Sequence, residues 1–227
     1  GRGRMPHQTT AMNQTDFTLL ILASGRGTRM GGPKALLPWT HGDRIVAAHA
    51  HLAQQLGGQA VVVARASVLR TIRPSLPHVR MIPSSAPGCW GPAGSIMAAA
   101  RAGALAHSPW TLITPVDAVP VEQPTLQRLL DSRSPRAQAV RPRFEGKGGH
   151  PVLVRTQIIM NVYLEQGPTP LRDVLRALVV VDVPMLDPRV IADLNTPEAY
   201  RAWTGREPRF EAILSDSVTI DKNGGFD

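Results

Sequence analysis

The chain has 227 residues, 43% of them hydrophobic, and a formal net charge of +8, enough apolar material for one full core and too much for global disorder. No apolar stretch reaches membrane-spanning length, no signal-type apolar run precedes Asp16, and Cys89 is the sole cysteine, so the expectation is a cytoplasmic protein with no internal disulfide and no membrane partner. The positive charge fits either a solvated basic surface or attraction for polyanions, and with only 4% aromatic residues and no dense Lys/Arg block phosphorylated small molecules are expected rather than nucleic acid.

Residues 1–15 are polar and aperiodic, hold Met5 and Met12, and read as a flexible leader. A strand is predicted at 17–23, a helix at 45–56, a β-branched buried strand at 59–64 and a short strand at 79–82. An alanine-rich helix follows at 95–105, a strand at 110–114 ending in Pro-Val-Asp, and a helix at 123–130. Strands at 137–140 and 151–154 flank a basic glycine-rich turn. A helix at 170–178, a strand at 179–183 and a last helix at 197–203 complete the domain. Strands alternating with helices imply an α/β fold, a sheet covered by helices on both faces. Without repeats or a convincing linker, 16–207 reads as one domain and 208–227 as a tail whose order the sequence leaves open.

The apolar run from Phe17 to Ala23 ends abruptly in Ser24-Gly25-Arg26-Gly27-Thr28-Arg29-Met30-Gly31-Gly32-Pro33-Lys34. Glycines let backbone N–H groups approach an anion, arginine offers a planar fork to phosphate oxygens, and lysine a mobile point charge. This is a strand followed by a loop suited to a polyphosphate. It is not a Walker loop, because Lys34 follows Pro33 and precedes Ala35. Nor is it a dinucleotide loop: Gly25 and Gly27 fit, but Met30 stands at the third glycine, and Pro33 and Pro38 break the expected helix.

Four further stretches carry candidate chemistry. Asp117 closely follows the strand at 110–114, where ligands of open α/β sheets bind. It suits a divalent cation between triphosphate oxygens, or a helix cap ahead of Pro120 and Glu122. In Asp193-Leu194-Asn195-Thr196-Pro197-Glu198, a cap at Thr196 or Asn195 with Pro197 in the first turn explains Thr-Pro-Glu but leaves Asp193 unexplained. Gly146-Lys147-Gly148-Gly149-His150-Pro151-Val152 sets a histidine between a basic turn and an apolar strand. Nearby Arg141, Arg143 and Lys147 read equally as a phosphate site or a solvated face. In Cys89-Trp90-Gly91-Pro92-Ala93-Gly94-Ser95-Ile96, Ser95 reads as a helix cap.

Together these stretches resemble the molybdenum-cofactor nucleotidyltransferase family, the MobA-like NTP transferases, over residues 19 to 200. The family's Leu-Ala-Ala-Gly, Arg-Met-Gly and Pro-Lys signature is matched from Leu22 to Lys34, and its late Asp-x-Asp/Asn-Thr-Pro-Glu from Asp193 to Glu198. Gly149-His150-Pro151-Val152 is similar to the molybdopterin cytidylyltransferase (MocA-like) branch, in which this loop lies on the acceptor side. Gly167 to Arg172 resembles a further branch element; Arg172 reads as an acceptor contact or, in preference, a surface residue. Ser24 departs from the Leu-Ala-Ala-Gly of that branch and from the Leu-Ala-Gly-Gly of the guanylyl branch. Asp117-Ala118-Val119-Pro120 departs from the usual Asp-x-Pro, and Pro92-Ala93-Gly94 from the usual base loop.

The resemblance implies a Rossmann-like three-layer sandwich with a mostly parallel sheet. It implies Mg²⁺-dependent transfer of a nucleoside monophosphate, CMP from CTP in this branch, to a phosphorylated small-molecule acceptor, molybdopterin. Arg29 would hold the leaving phosphates, Lys34 would bridge the α-phosphate and the acceptor, and Asp117 and Asp193 would hold Mg²⁺. Leu22, Ala23, Ser24, Gly25, Gly27, Thr28, Arg29, Lys34, Gly94 and Ser95 would contact the nucleotide, and Lys147, Gly149, His150 and Pro151 the acceptor. A transient contact with the enzyme that receives the cofactor is also implied. The rivals are the same chemistry on a sugar, alditol or phosphonate phosphate, and a non-catalytic accessory protein that binds a nucleotide or cofactor. Intact Arg29, Lys34 and Asp117 argue against the last.

Overall fold

A computed structural model describes residues 15–84 and 91–210, apart from the His41 side chain; the expectations for the leader up to residue 14, for Cys89 and Trp90, and for the tail from residue 211 lie outside the described residues. In chain order the elements are β1 (Phe17–Ala23), α1 (Ile45–Gln55), β2 (Gln59–Ala64), α2 (Ala66–Ile72), β3 (Arg80–Pro83), α3 (Gly91–Arg101), β4 (Trp110–Pro115) and α4 (Gln123–Asp131). Then come β5 (Ala139–Phe144), β6 (Lys147–Gly148), β7 (Val152–Arg155), α5 (Thr156–Glu165), α6 (Leu171–Arg176), β8 (Val180–Pro184) and α7 (Pro197–Thr204). Among the described residues no helix is long and apolar enough to cross a membrane.

The eight strands of the described residues form one sheet in the order β3-β2-β1-β4-β7-β5-β6, with β8 beside β5. Strands β1 to β4 are mutually parallel; β7 runs antiparallel to β4 and to β5, and β8 parallel to β5. The first four build a Rossmann-like half, and the antiparallel insertion brings the chain from residue 139 onward to the β4 side. Strand β1 is apolar apart from buried Thr18 because both its faces are covered. Alternate residues point to opposite faces: Phe17, Leu19 and Ile21 join a core with α1, α2 and α4, while Leu20 joins one with α3, α5 and α6. These two cores make the three layers.

The predicted β1 and β2 coincide with the observed strands. Helix α3 starts at Gly91 rather than at 95, so Ser95 sits in its second turn and is not a cap. Helices α2 and α5 were not expected. Helix α5 reads Thr-Gln-Ile-Ile-Met-Asn-Val-Tyr-Leu-Glu, rich in β-branched residues of modest helix propensity. Ile159 and Tyr163, one turn apart, are both wholly buried on the α3 side of the sheet, so packing overrides propensity. Thr196 does cap α7, its hydroxyl accepting from the Ala199 N–H. Buried Tyr200 donates its hydroxyl to the Pro38 carbonyl at 2.6 Å, tying the last helix to the exit of the glycine-rich loop.

Gly149 is required by contact. A Cβ there would stand 1.9 Å from the Val190 carbonyl oxygen, and the next residue, His150, donates its N–H to that oxygen at 2.7 Å. Gly149→Ala should therefore lower stability by roughly 1–3 kcal/mol, as overpacking does. Urea unfolding monitored by circular dichroism measures it.

Candidate active site

The loop leaving β1 folds on itself at Gly27. Its φ is +65°, and a Cβ there would lie 1.8 Å from the Gly32 carbonyl oxygen, so no larger residue fits. The Gly27 carbonyl accepts from the Met30 and Gly32 N–H groups, and buried Met30 anchors the loop. Phe210 packs on Gly32, which brings the start of the expected tail onto this loop. Ser95 donates its hydroxyl to the Gly91 carbonyl at 2.8 Å, so the 2.7 Å bond between Ser24 and Ser95 takes its proton from Ser24. Ser24 thus fastens the strand end to α3.

A cleft of about 280 Å³ opens above the strand ends; Leu22, Ser24, Gly25, Gly27, Thr28, Arg29, Lys34, Ser95 and Asp117 all line it, with Gly91 and Pro92. A second hollow of about 190 Å³ adjoins it, shares Pro115 and Asp117, and is walled by Gly148, Gly149, His150, Asp193 and Asn195. Four expected contacts line neither hollow. Ala23 points into the core on the α1 side, being one residue out of phase with Leu22 and Ser24. Gly94 is buried within α3, Pro151 is buried, and Lys147 is exposed on β6.

Lys34 lies where the two hollows meet. Its Nζ is 2.7 Å from Asp117 Oδ2 and 2.5 Å from Asn195 Oδ1. The sequence reading had given Asn195 only a capping role. Its position in the Asp-x-Asn-Thr-Pro-Glu string was the available signal, hidden because Thr196 already accounts for the cap. Asp117 does not cap a helix. At the start of α4 it is Asp187 that accepts from the Glu122 N–H and from the Thr125 hydroxyl.

Asp117 is held by its neighbours' backbone. The Val116 N–H donates to the Leu22 carbonyl, and the Leu194 N–H to the Asp117 carbonyl at 2.8 Å; Ala118 and Asp193 form an antiparallel bridge. Asp193 accepts from the Asn195 N–H at 3.3 Å. Both carboxylates therefore sit on segments fastened to each other. Among the described residues no cluster of three or more His, Cys, Asp or Glu side chains gathers as metal ligands. Two carboxylates in one hollow nevertheless fit Mg²⁺, which takes one or two carboxylates and completes its shell with water and substrate phosphates.

His150 is half-buried, its Nδ1 shielded from solvent without a hydrogen-bond partner among the described residues. Burial holds its pKa below the usual value, opposed by the charges of Asp117 and Asp193. Arg141 and Arg143 pair with Asp182 of β8 at 2.8 and 3.0 Å, and Arg143 also bonds the Gly146 carbonyl, so these arginines tie β5 to β8 and brace the turn into β6. Arg172 is on the surface beside Asp173.

A glycine-rich phosphate loop with a lysine, facing a carboxylate at the carboxyl ends of parallel strands, defines a nucleotidyltransferase. The chain belongs to the family of the MobA-like NTP transferase domain, which matches residues 19–181. It is 33% identical over 191 residues to a protein of Pseudomonas paraeruginosa named molybdenum cofactor guanylyltransferase, covering 80% of this chain and 91% of that one. Rv0371c of Mycobacterium tuberculosis H37Rv, solved in complex with manganese, shares the fold at TM-score 0.66 and 21% identity, covering 84% of this chain and 99% of the other. Molybdopterin-guanine dinucleotide biosynthesis protein A of Archaeoglobus fulgidus does so at TM-score 0.61 and 18% identity, covering 83% and 97%.

Beneath this site His49 of α1 is fully buried. Desolvation pushes its pKa from 6.5 down to about 4, against the opposing pull of the Ala118 and Val116 carbonyls and the Asp117 charge. The unfolded chain therefore takes up a proton at this residue before the folded one does. Its contribution is complete above pH 6.5 and is lost as the pH falls towards 4. The loss should reach roughly 3 kcal/mol, at 1.36 kcal/mol per pKa unit. Unfolding free energies measured across this range should fall with pH, and His49→Gln should flatten the fall.

Proposed function

We propose that the protein transfers a nucleoside monophosphate from a nucleoside triphosphate to a phosphorylated pterin of molybdenum-cofactor synthesis, with release of pyrophosphate. The observation that carries this reading is Lys34, poised between a cleft bordered by the glycine loop and a second hollow bordered by His150. The names of the relatives support the pterin as acceptor. Turnover on a nucleotide pool agrees with the cytoplasmic location expected from the sequence.

In this reading an acceptor phosphate oxygen attacks the α-phosphorus in line. The α–β bridging P–O bond breaks, and pyrophosphate leaves with the electron pair. The nucleophile is already anionic, so the protein supplies position and charge. Arg29 would grip the β- and γ-phosphates. Lys34, a point charge with three donors, would exchange Asp117 for phosphate oxygens. Asp117 and Asp193 would hold Mg²⁺, which when bound neutralises triphosphate charge. The unpartnered Nδ1 of His150 would accept a hydrogen bond from the acceptor. Lys34→Ala should lower kcat about 10²–10³-fold, the usual loss for a preorganised charge contact. Pyrophosphate release with molybdopterin, and with sugar and alditol phosphates as alternatives, tests acceptor and chemistry together; no release with any of them would favour an accessory binding role.

For the base we propose cytosine. Ser24 carries its side chain in the cleft where the guanylyl branch has glycine, and its bond to Ser95 keeps it in place. That narrows the space for a purine. The second reading is guanine, favoured by the relatives' name. Calorimetric titration with Mg²⁺ should show CTP binding more tightly than GTP by roughly 1–3 kcal/mol, the scale of steric discrimination. GTP binding equally or more tightly would transfer the assignment to guanine.

A further inference from the structure

Helix α1 reads Ile-Val-Ala-Ala-His-Ala-His-Leu-Ala-Gln-Gln, and its inward positions Ile45, Val46, Ala50 and Ala53 are fully buried and apolar. His49 lies among them at 5% exposure. A buried imidazole is costly unless its N–H is satisfied. His49 Nε2 stands 3.0 Å from the Ala118 carbonyl oxygen. A carbonyl only accepts, so Nε2 is the protonated nitrogen.

Ala118 follows Asp117. In this turn the Ala118 N–H donates to the Pro115 carbonyl, the Val119 N–H to the Ala192 carbonyl, and the Asp117 carbonyl accepts from Leu194. The Ala118 carbonyl is held from below by His49. We propose that His49 is a positioning residue of the cation site: its imidazole N–H fixes the Asp117–Ala118 segment and so sets the Asp117 carboxylate against that of Asp193. The proposal rests on the reading of Asp117 and Asp193 as the carboxylates that hold the divalent cation.

The full chain is titrated with Mn²⁺ in the presence of a non-hydrolysable triphosphate analogue, free Mn²⁺ being read by electron paramagnetic resonance. Four proteins are compared: the unaltered chain, His49→Leu, His49→Gln and Asp117→Asn. His49→Leu keeps volume but loses the donor, and should weaken Mn²⁺ binding about tenfold, the scale on which outer hydrogen bonds to metal ligands act. His49→Gln keeps an N–H donor and should recover most of that loss. Analogue binding in EDTA should be unchanged in both. Steady-state kinetics should show kcat reduced in His49→Leu with KM for the triphosphate kept. A merely structural role would not produce this split or its rescue. Mn²⁺ affinity of His49→Leu within about twofold of the unaltered chain, or His49→Gln no better than His49→Leu, overturns the proposal. If His49→Leu loses cooperative melting, His49→Asn, whose amide is too short to reach, replaces it under the same criteria. Unchanged affinity in Asp117→Asn removes the cation-site reading and this proposal with it. Loss in Asp117→Asn without loss in His49→Leu overturns the positioning role alone.

Discussion

The contact of Lys34 with Asp117 and Asn195 joins three segments of the chain that lie 83 and 161 residues apart. Each side chain comes from a loop at the carboxyl edge of the sheet, the place where open α/β folds gather ligand groups. The contact depends on a chain of backbone bonds: Val116 to Leu22 ties the Asp117 loop to β1, and Leu194 to Asp117 ties the Asn195 loop to β4. Both partners are only about one-fifth exposed, at 18% and 21%. Removing one would leave a poorly solvated charge on the other. An ammonium suits this position because it rotates freely among partners, whereas a guanidinium commits to a planar pair.

How much of this the sequence disclosed varied with the physical source of each feature. Strands β1 and β2 were legible because fully buried strands are short apolar runs bounded by glycine or polar residues. The glycine-rich loop after β1 was legible from its composition, but the sequence alone did not single out Gly27 as the turn that demands glycine. Helix α5 was not, because its residues favour strands and only the burial of Ile159 and Tyr163 makes it a helix. Ala23 and Gly94 were drawn into the expected site as members of contiguous motifs, although strand alternation and helix burial turn them elsewhere. Asn195 escaped because Thr196 sufficed to explain its neighbourhood. His49 escaped because a histidine on an alanine-rich helix carries no signal until its partner 69 residues away is known.

The acceptor side differs most from its sequence picture, and the difference has an electrostatic consequence. In the sequence, Arg141, Arg143 and Lys147 read equally as a cradle for an acceptor phosphate or as a solvated face. The arginines are instead committed to Asp182, whose carboxyl is held below its usual pKa by Arg141 first and then by Arg143. Lys147 is exposed outside the hollow. What lines the hollow is Asp117, Asp193, Asn195, neutral His150 and backbone. An anionic acceptor entering that space alone meets two carboxylates, and like charges at such range cost energy even with partial solvent screening. Lys34 is the positive side chain at its border. In the proposed reaction, the same carboxylates would make entry of an anionic acceptor depend on positive charge at the junction, from Lys34 and a cation held there. Selectivity for a phosphorylated acceptor would then arise at the shared wall of the two hollows, and His150 would be left to read the rest of the acceptor by hydrogen bonding.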